Sequence, residues 1–212
     1  TNWTYVEGFG VGVAGTYGDR DGAPSGYLTP GQRTWFSYNA NVTGDGEASR
    51  LVPQGYWYYG PFGFLGEWAI SRQRLTTTSG APIRDNIQTE AWQFAAYYVI
   101  FGGDASYKGV KPKKEFDLSG ENWGALELVG RYGEQWIDDS VFIARGGQSL
   151  ASTTANARSI DTWGVGLNWY LNTNVRLVLD YNHSNFSSRG LANTAVPRDD
   201  EQAVFSRLQL SF

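Results

Sequence analysis

The chain of 212 residues contains no cysteine, no methionine and one histidine, His183. Without cysteine there is no disulfide framework, no thiolate nucleophile and no cysteine zinc site. One histidine leaves no multi-histidine metal site, so neither a metal nor any other cofactor is expected. Charge is sparse: Asp, Glu, Lys and Arg make up 18%, and the net charge of −4 gives no general pull toward nucleic acid. The longest uncharged apolar run, Ala91–Phe101, falls far short of the ~20 residues of a spanning helix. Helical periodicity, a repeat of fixed length and a domain linker are missing as well. No basic, apolar leader opens the chain, so the numbering is expected to start on a processed or partial chain.

Glycine and aromatic residues are abundant. There are 27 glycines, nearly twice the usual share of about 7%, and aromatics reach 16%. Mean hydropathy is −0.40. A soluble globular protein and a transmembrane β-barrel share such an average, because half of every barrel strand is polar.

The pattern is organised around residues 162–182. Trp163, Val165, Leu167, Trp169 and Leu171 alternate with Gly164, Gly166, Asn168 and Tyr170. After Asn172-Thr173-Asn174, Val175, Leu177, Leu179 and Tyr181 alternate with Arg176, Val178, Asp180 and Asn182. Period two over this length predicts two strands joined by a tight hairpin. One face is large and apolar, the other small, polar or charged.

The same alternation predicts strands at 6–19, 33–42, 50–59, 62–76, 88–101, 123–138 and 201–212. In the second, Thr34, Phe36, Tyr38 and Ala40 oppose Arg33, Ser37, Asn39 and Asn41. About nine strands result, many of roughly 10–14 residues, longer than the soluble norm of about five or six and long enough to cross a bilayer when tilted. Long and tight connections alternate: 187–200 is long, 172–174 tight, 139–159 long, and Gly60-Pro61 tight. The exception is 102–122, a long basic segment where a tight turn is due, read as an insertion that folds inward.

That segment carries Lys108, Lys111, Lys113 and Lys114 within seven residues. In a narrow, low-dielectric passage such lysines raise the local anion concentration as mobile point charges, whereas arginine clamps phosphate in a bidentate fork. Arg33, Arg50, Arg131, Arg176 and Arg207 fall on the polar phase of their strands. Arg131 and Arg176 are expected to pair with Glu67, Glu127 or Asp180 on that phase, leaving Arg33 and Arg50 for conduction. Tyr56, Trp57, Tyr58 and Tyr59 beside the tight turn, with Trp123, Tyr132, Trp169 and Tyr170, read as an interfacial aromatic girdle. An aromatic sugar-binding platform in a soluble sandwich is the alternative.

Two apparent signatures fail. Gly10-Val11-Gly12-Val13-Ala14-Gly15 satisfies G-x-G-x-x-G but lies inside a strand, with no helix to follow it. There small residues let neighbours approach. Asp180, His183 and Ser184 sit along one strand, where adjacent residues point to opposite faces, so His183 and Ser184 cannot meet.

Five stretches carry a resemblance: QGYWYYGPFGFLGE at 54–67, YKGVKPKK at 107–114, WGALELVGRY at 123–132, the run Trp163–Tyr181, and the ending Arg207–Phe212. In that order they resemble the phosphate-selective porin O/P family of bacterial outer membranes. The resemblance covers nearly the whole chain but only the C-terminal half of such a porin. It implies an all-β, antiparallel transmembrane β-barrel of about 16 strands in full. This chain would be the C-terminal part of that single domain, closed by a strand bearing Leu208, Leu210 and Phe212. It further implies a homotrimer in outer-membrane lipid that passes small anions such as phosphate, with Arg33, Arg50, Arg131 and the four lysines along the pathway. The family's phosphate-selective members carry a dense arginine ladder. Here the comparable region, Gly26 to Arg50, holds only Arg33 and Arg50.

The reading is therefore an outer-membrane porin for passive diffusion of small anions, with no enzymatic chemistry. The alternatives are a structural barrel subunit of a larger outer-membrane assembly and a soluble carbohydrate-binding β-sandwich. The medium touching the tryptophans separates them.

Overall fold

The structure, a computed structural model, describes residues 7–188 and 198–211. Ten strands follow in order: β1 Phe9–Gly22, β2 Tyr27–Leu28, β3 Thr34–Phe36, β4 Val42–Tyr59, β5 Phe62–Thr77, β6 Arg84–Phe101, β7 Ala125–Ile137, β8 Ser159–Tyr170, β9 Val175–Ser187 and β10 Glu201–Leu210. The eight long ones form a single antiparallel sheet, β1-β4-β5-β6-β7-β8-β9-β10, with β1 and β10 as its edges. The fold is all-β and antiparallel, and the sheet does not close on itself.

One expected element differs. Residues 33–42 do not join the sheet. Only Thr34–Phe36 is extended, paired with β2 in a separate two-stranded ribbon. The reason is burial: Trp35 and Phe36 are adjacent yet 1% and 0% exposed, so both sides of the segment are covered. A turn with Val42 N donating to Asn39 O (3.0 Å) then starts β4 at Val42, earlier than the expected 50. The sheet thus has eight strands where the alternation suggested nine.

Register fixes the faces, because side chains alternate along every strand. One lateral row runs Phe9, Trp57, Phe64, Ala96, Gly130, Val165, Tyr181, Val204, without a charge. A row on the opposite face runs Gly12, Gln54, Glu67, Gln93, Gly133, Thr162, Ser184, Glu201. Among the described residues no second sheet covers the apolar face. Trp68, Trp163 and Leu208 there are 48%, 41% and 59% exposed. A sandwich would bury that face against a second sheet.

The apolar band also has an edge. On β5 it runs from Phe62 to Ile70, then gives way to Arg72 and Arg74; on β6 it gives way to Glu90, Gln88 and Asn86. Nine residues, Phe62 to Ile70, span about 30 Å of strand. A tilt of about 40° reduces this to roughly the ~25 Å band of an outer-membrane barrel.

The buried core lies on the polar side, at the end carrying the longer loops. Leu75, Ile87, Ile137 and Ile160 project from the inner face of their strands. Trp35, Phe36, Val141, Phe142, Leu150 and Ala151 from the connections pack onto them. Phe36 meets Tyr38 and Phe142 edge-on, at 4.9 and 6.0 Å between ring centres. Asn39 N donates to Leu150 O (2.9 Å), and Asn156 Oδ1 accepts from Ser37 N (2.7 Å), so the connections hold one another. Burial pushes the Tyr38 phenol well above its ordinary range, and Gln73 Nε2 donates to its oxygen at 3.2 Å.

Candidate functional site

Beneath this cluster the inner face is polar. A cavity of about 510 Å³ lies there, roofed by Tyr27, Leu28, Pro30 and Trp35, with Arg50, Glu67, Gln93 and Arg131 along its strand walls. Arg50 on β4 stands opposite Thr16 and Ser71 and has no ion-pair partner among the described residues. Glu67 accepts a short hydrogen bond from Gln93 Nε2. Arg131 on β7 reaches across β8 to donate to Asn182 Oδ1 at 2.9 Å. The residue between them is Gly164, where a Cβ would come within 2.6 Å of that same oxygen. Glycine on β8 therefore opens the path by which Arg131 is held.

The expected carboxylate pairing of Arg131 and Arg176 is not what forms. Arg131 takes the Asn182 amide oxygen, and Arg176 donates to Tyr170 Oη (3.2 Å) and Gln209 Oε1 (2.6 Å). Glu127, only 3% exposed, accepts instead from Asn168 Nδ2 (2.8 Å) and Tyr170 Oη (3.1 Å). Charge pairing here would need a buried carboxylate facing a guanidinium directly, whereas neutral donors satisfy Glu127 at lower desolvation cost. Arg33, expected to lack a partner, has its Nε 3.8 Å from Glu201 Oε2, while Thr29 Oγ1 donates to the other carboxylate oxygen at 2.5 Å.

The lysine segment divides in two. Its first part lies against the inner face. The Tyr107 ring stacks on Tyr56 at 4.5 Å, and Val110 is buried with Val99, Ala125 and Tyr170. Lys108 and Lys111 flank these two anchors and are exposed. The second part crosses the rim: Lys113 N donates to Gly102 O and Phe116 N to Leu171 O, both at 2.7 Å. Lys113 and Lys114 then line a groove on the outer, apolar face, not the inner one.

The aromatic residues split by phase as well. Trp57 and Tyr59 lie on the outer face, their rings parallel and 5.9 Å apart. Trp123 and Trp169 stack there at 6.1 Å, joined by a hydrogen bond from Trp169 Nε1 to Trp123 O at 2.7 Å. Tyr56 does not belong with them. One residue from Trp57, it points inward, and its ring lies over Gly10, where any Cβ would collide with it. Gly10 thus gives the ring a flat seat, while Gly12 makes room for the Gln54 side chain. Leu208 and Leu210 share the outer face opposite Leu177 and Val175, and Phe212 lies outside the described residues. His183 stacks on Trp163 on the outer face, while Ser184 points inward to Thr162, so the two do not meet.

Sequence reasoning missed the roof of the cavity. Tyr27 and Pro30 fall between the strands that alternation predicts, and Trp35 falls within one of them. The available signal was Trp35-Phe36, two large rings in succession where alternation requires one.

Residues 32–212 match a family model described as phosphate-selective porin O and P. No curated protein matches the chain.

Proposed function

The chain belongs to the phosphate-selective porin O and P family of the outer membrane, a family of channels and not of enzymes, and from that premise we propose that it passes small anions, phosphate-like ones among them, by passive diffusion along its inner face. The observation that carries this reading is Arg50 and Arg131 on the walls of one cavity, each without an ion pair among the described residues. Guanidinium groups so placed keep their charge available to a passing anion, and the field of each is focused by the protein around it. Lys108 and Lys111 beside the inner-face anchors extend the positive path toward the turn end, and Arg33 marks the approach at the loop end. The buried cluster above narrows the passage, so ions travel beneath the Tyr27–Trp35 roof.

Two further parts of the reading concern assembly. Residues 1–212 form the C-terminal portion of one barrel domain whose other strands pair with the β1 and β10 edges, and three barrels associate, as in the family. The test is reversal potential in planar bilayers under a salt gradient. The parent protein is expected to favour chloride and phosphate over potassium, and Arg50→Glu with Arg131→Glu to reverse or abolish that preference. Discrete channels with an unchanged reversal potential in the double variant would remove these arginines from the pathway. No channels from the parent protein would favour a structural role.

A further inference from the structure

All four lysines of the chain lie within residues 108–114, yet two of them stand on the lipid-facing side. The groove they border has a volume of about 1050 Å³. Its floor is Leu126, Leu167, Leu177 and Leu179, on the exposed outer phase of three adjacent strands. One wall is the stacked Trp123–Trp169 pair, against which the Phe116 ring packs edge-on at 5.5 Å from Trp169. Lys113 and Lys114 lie at its margin together with the carboxylate of Glu121, the lysines held at the rim by the backbone bonds to Gly102 and Leu171. Lys113 also meets Asp104 at 3.0 Å, but both groups are more than half exposed, which leaves that pair weak. Lys114 has no ion pair among the described residues.

We infer that this groove is a binding site for one anionic phospholipid in the leaflet at the turn end, its acyl chains along the leucine floor and its phosphate at Lys113 and Lys114. An apolar floor alone would accept any lipid. Two cations beside it, at the level of interfacial tryptophans, select a negatively charged headgroup. Each lysine near a membrane surface favours an anionic lipid by about fivefold, and the Glu121 carboxylate offsets one of the two, so the groove predicts a preference of about fivefold over a zwitterionic one. The inference rests on the membrane setting and the outer face, and is independent of what passes through the interior.

The test uses the parent protein reconstituted in phosphatidylcholine vesicles containing either phosphatidylglycerol or phosphatidylcholine with brominated acyl chains, read by quenching of tryptophan fluorescence. Brominated phosphatidylglycerol is expected to quench at far lower mole fraction than brominated phosphatidylcholine. The excess should vanish in Trp123→Phe with Trp169→Phe, which locates it, and in both Lys113→Glu with Lys114→Glu and the milder Lys113→Gln with Lys114→Gln. Equal quenching by the two lipids in the parent would overturn the inference. So would an excess that survives both lysine variants. Loss of quenching together with cross-links between copies at the groove would show a second protomer seated there and overturn it equally.

Discussion

Phe36→Ala is the most informative single change, because it attacks the buried cluster that backs the cavity roof without touching the eight-stranded sheet. Phe36 is fully buried, with Tyr27, Trp35, Tyr38 and Phe142 all between 4.9 and 6.1 Å, centre to centre. A ring of this size buries about 150–200 Å², worth roughly 4–5 kcal/mol at about 25 cal/mol/Å². Large-to-small core changes at phenylalanine fall near this, at about 3–5 kcal/mol. That is about three powers of ten in the equilibrium between packed and loosened connections, while the strand ladders on either side stay intact. Single-channel recording should therefore show larger unit conductance with flicker between levels, and heat-modifiable gel mobility should still report a folded barrel. If conductance and open-channel noise match the parent while the variant remains folded, the cluster does not limit the passage, and the argument for a roofed pathway fails.

Charge tests follow from the division of the lysine segment. Lys108→Glu with Lys111→Glu should shift reversal potential toward cations: at about 6 Å in water one unit charge is worth about 0.7 kcal/mol, so each unit lost lowers the anion-to-cation ratio about tenfold, and the double reversal changes the charge by about four units. An unchanged potential would take the inner half of the segment off the path. Gly10→Val should push the Tyr56 ring off its seat and break the stack on Tyr107, costing about 1–3 kcal/mol in denaturant unfolding. Combined with Tyr56→Ala, the two effects should be less than additive, and strict additivity would refute the contact. Hydrogen bonds from Ser119 and Asn122 hold the Asp117 carboxyl below its ordinary 3.8. Its support for the 117–122 turn is therefore complete above that value and lost as pH falls through the lower, folded one. Protection factors at Asn122 and its neighbours, corrected for intrinsic exchange, should fall as Asp117 is protonated on acidification, and protection factors that stay constant while Asp117 titrates would contradict it.

Much of the sheet was legible because the signal was local. Alternation in Trp163–Tyr181 fixed both phase and hairpin, and Asn172 Oδ1 does accept from the Asn174 and Val175 amides at 2.8 Å to make the turn. The lysine segment was not legible in the same way. It has no period, and its course depends on Tyr107 finding Tyr56 and Phe116 finding Trp169, partners 51 and 53 positions away in sequence. Arginine partners were equally hidden, since Arg131 reaches Asn182 only through the gap at Gly164. The fate of 33–42 turned on which surface would cover Trp35, a fact carried by the distant Leu150 and Ala151.

The two outermost strands carry a thermodynamic obligation. Alternate residues of β1 and β10, 14 and 10 long, direct both backbone groups away from any neighbour, roughly two dozen donors and acceptors in all. In hydrocarbon each one left dry costs several kcal/mol, so entry of this sheet into a bilayer and satisfaction of its margins cannot be separate events. Whatever meets those margins must arrive as the strands cross, which makes insertion and closure one cooperative step.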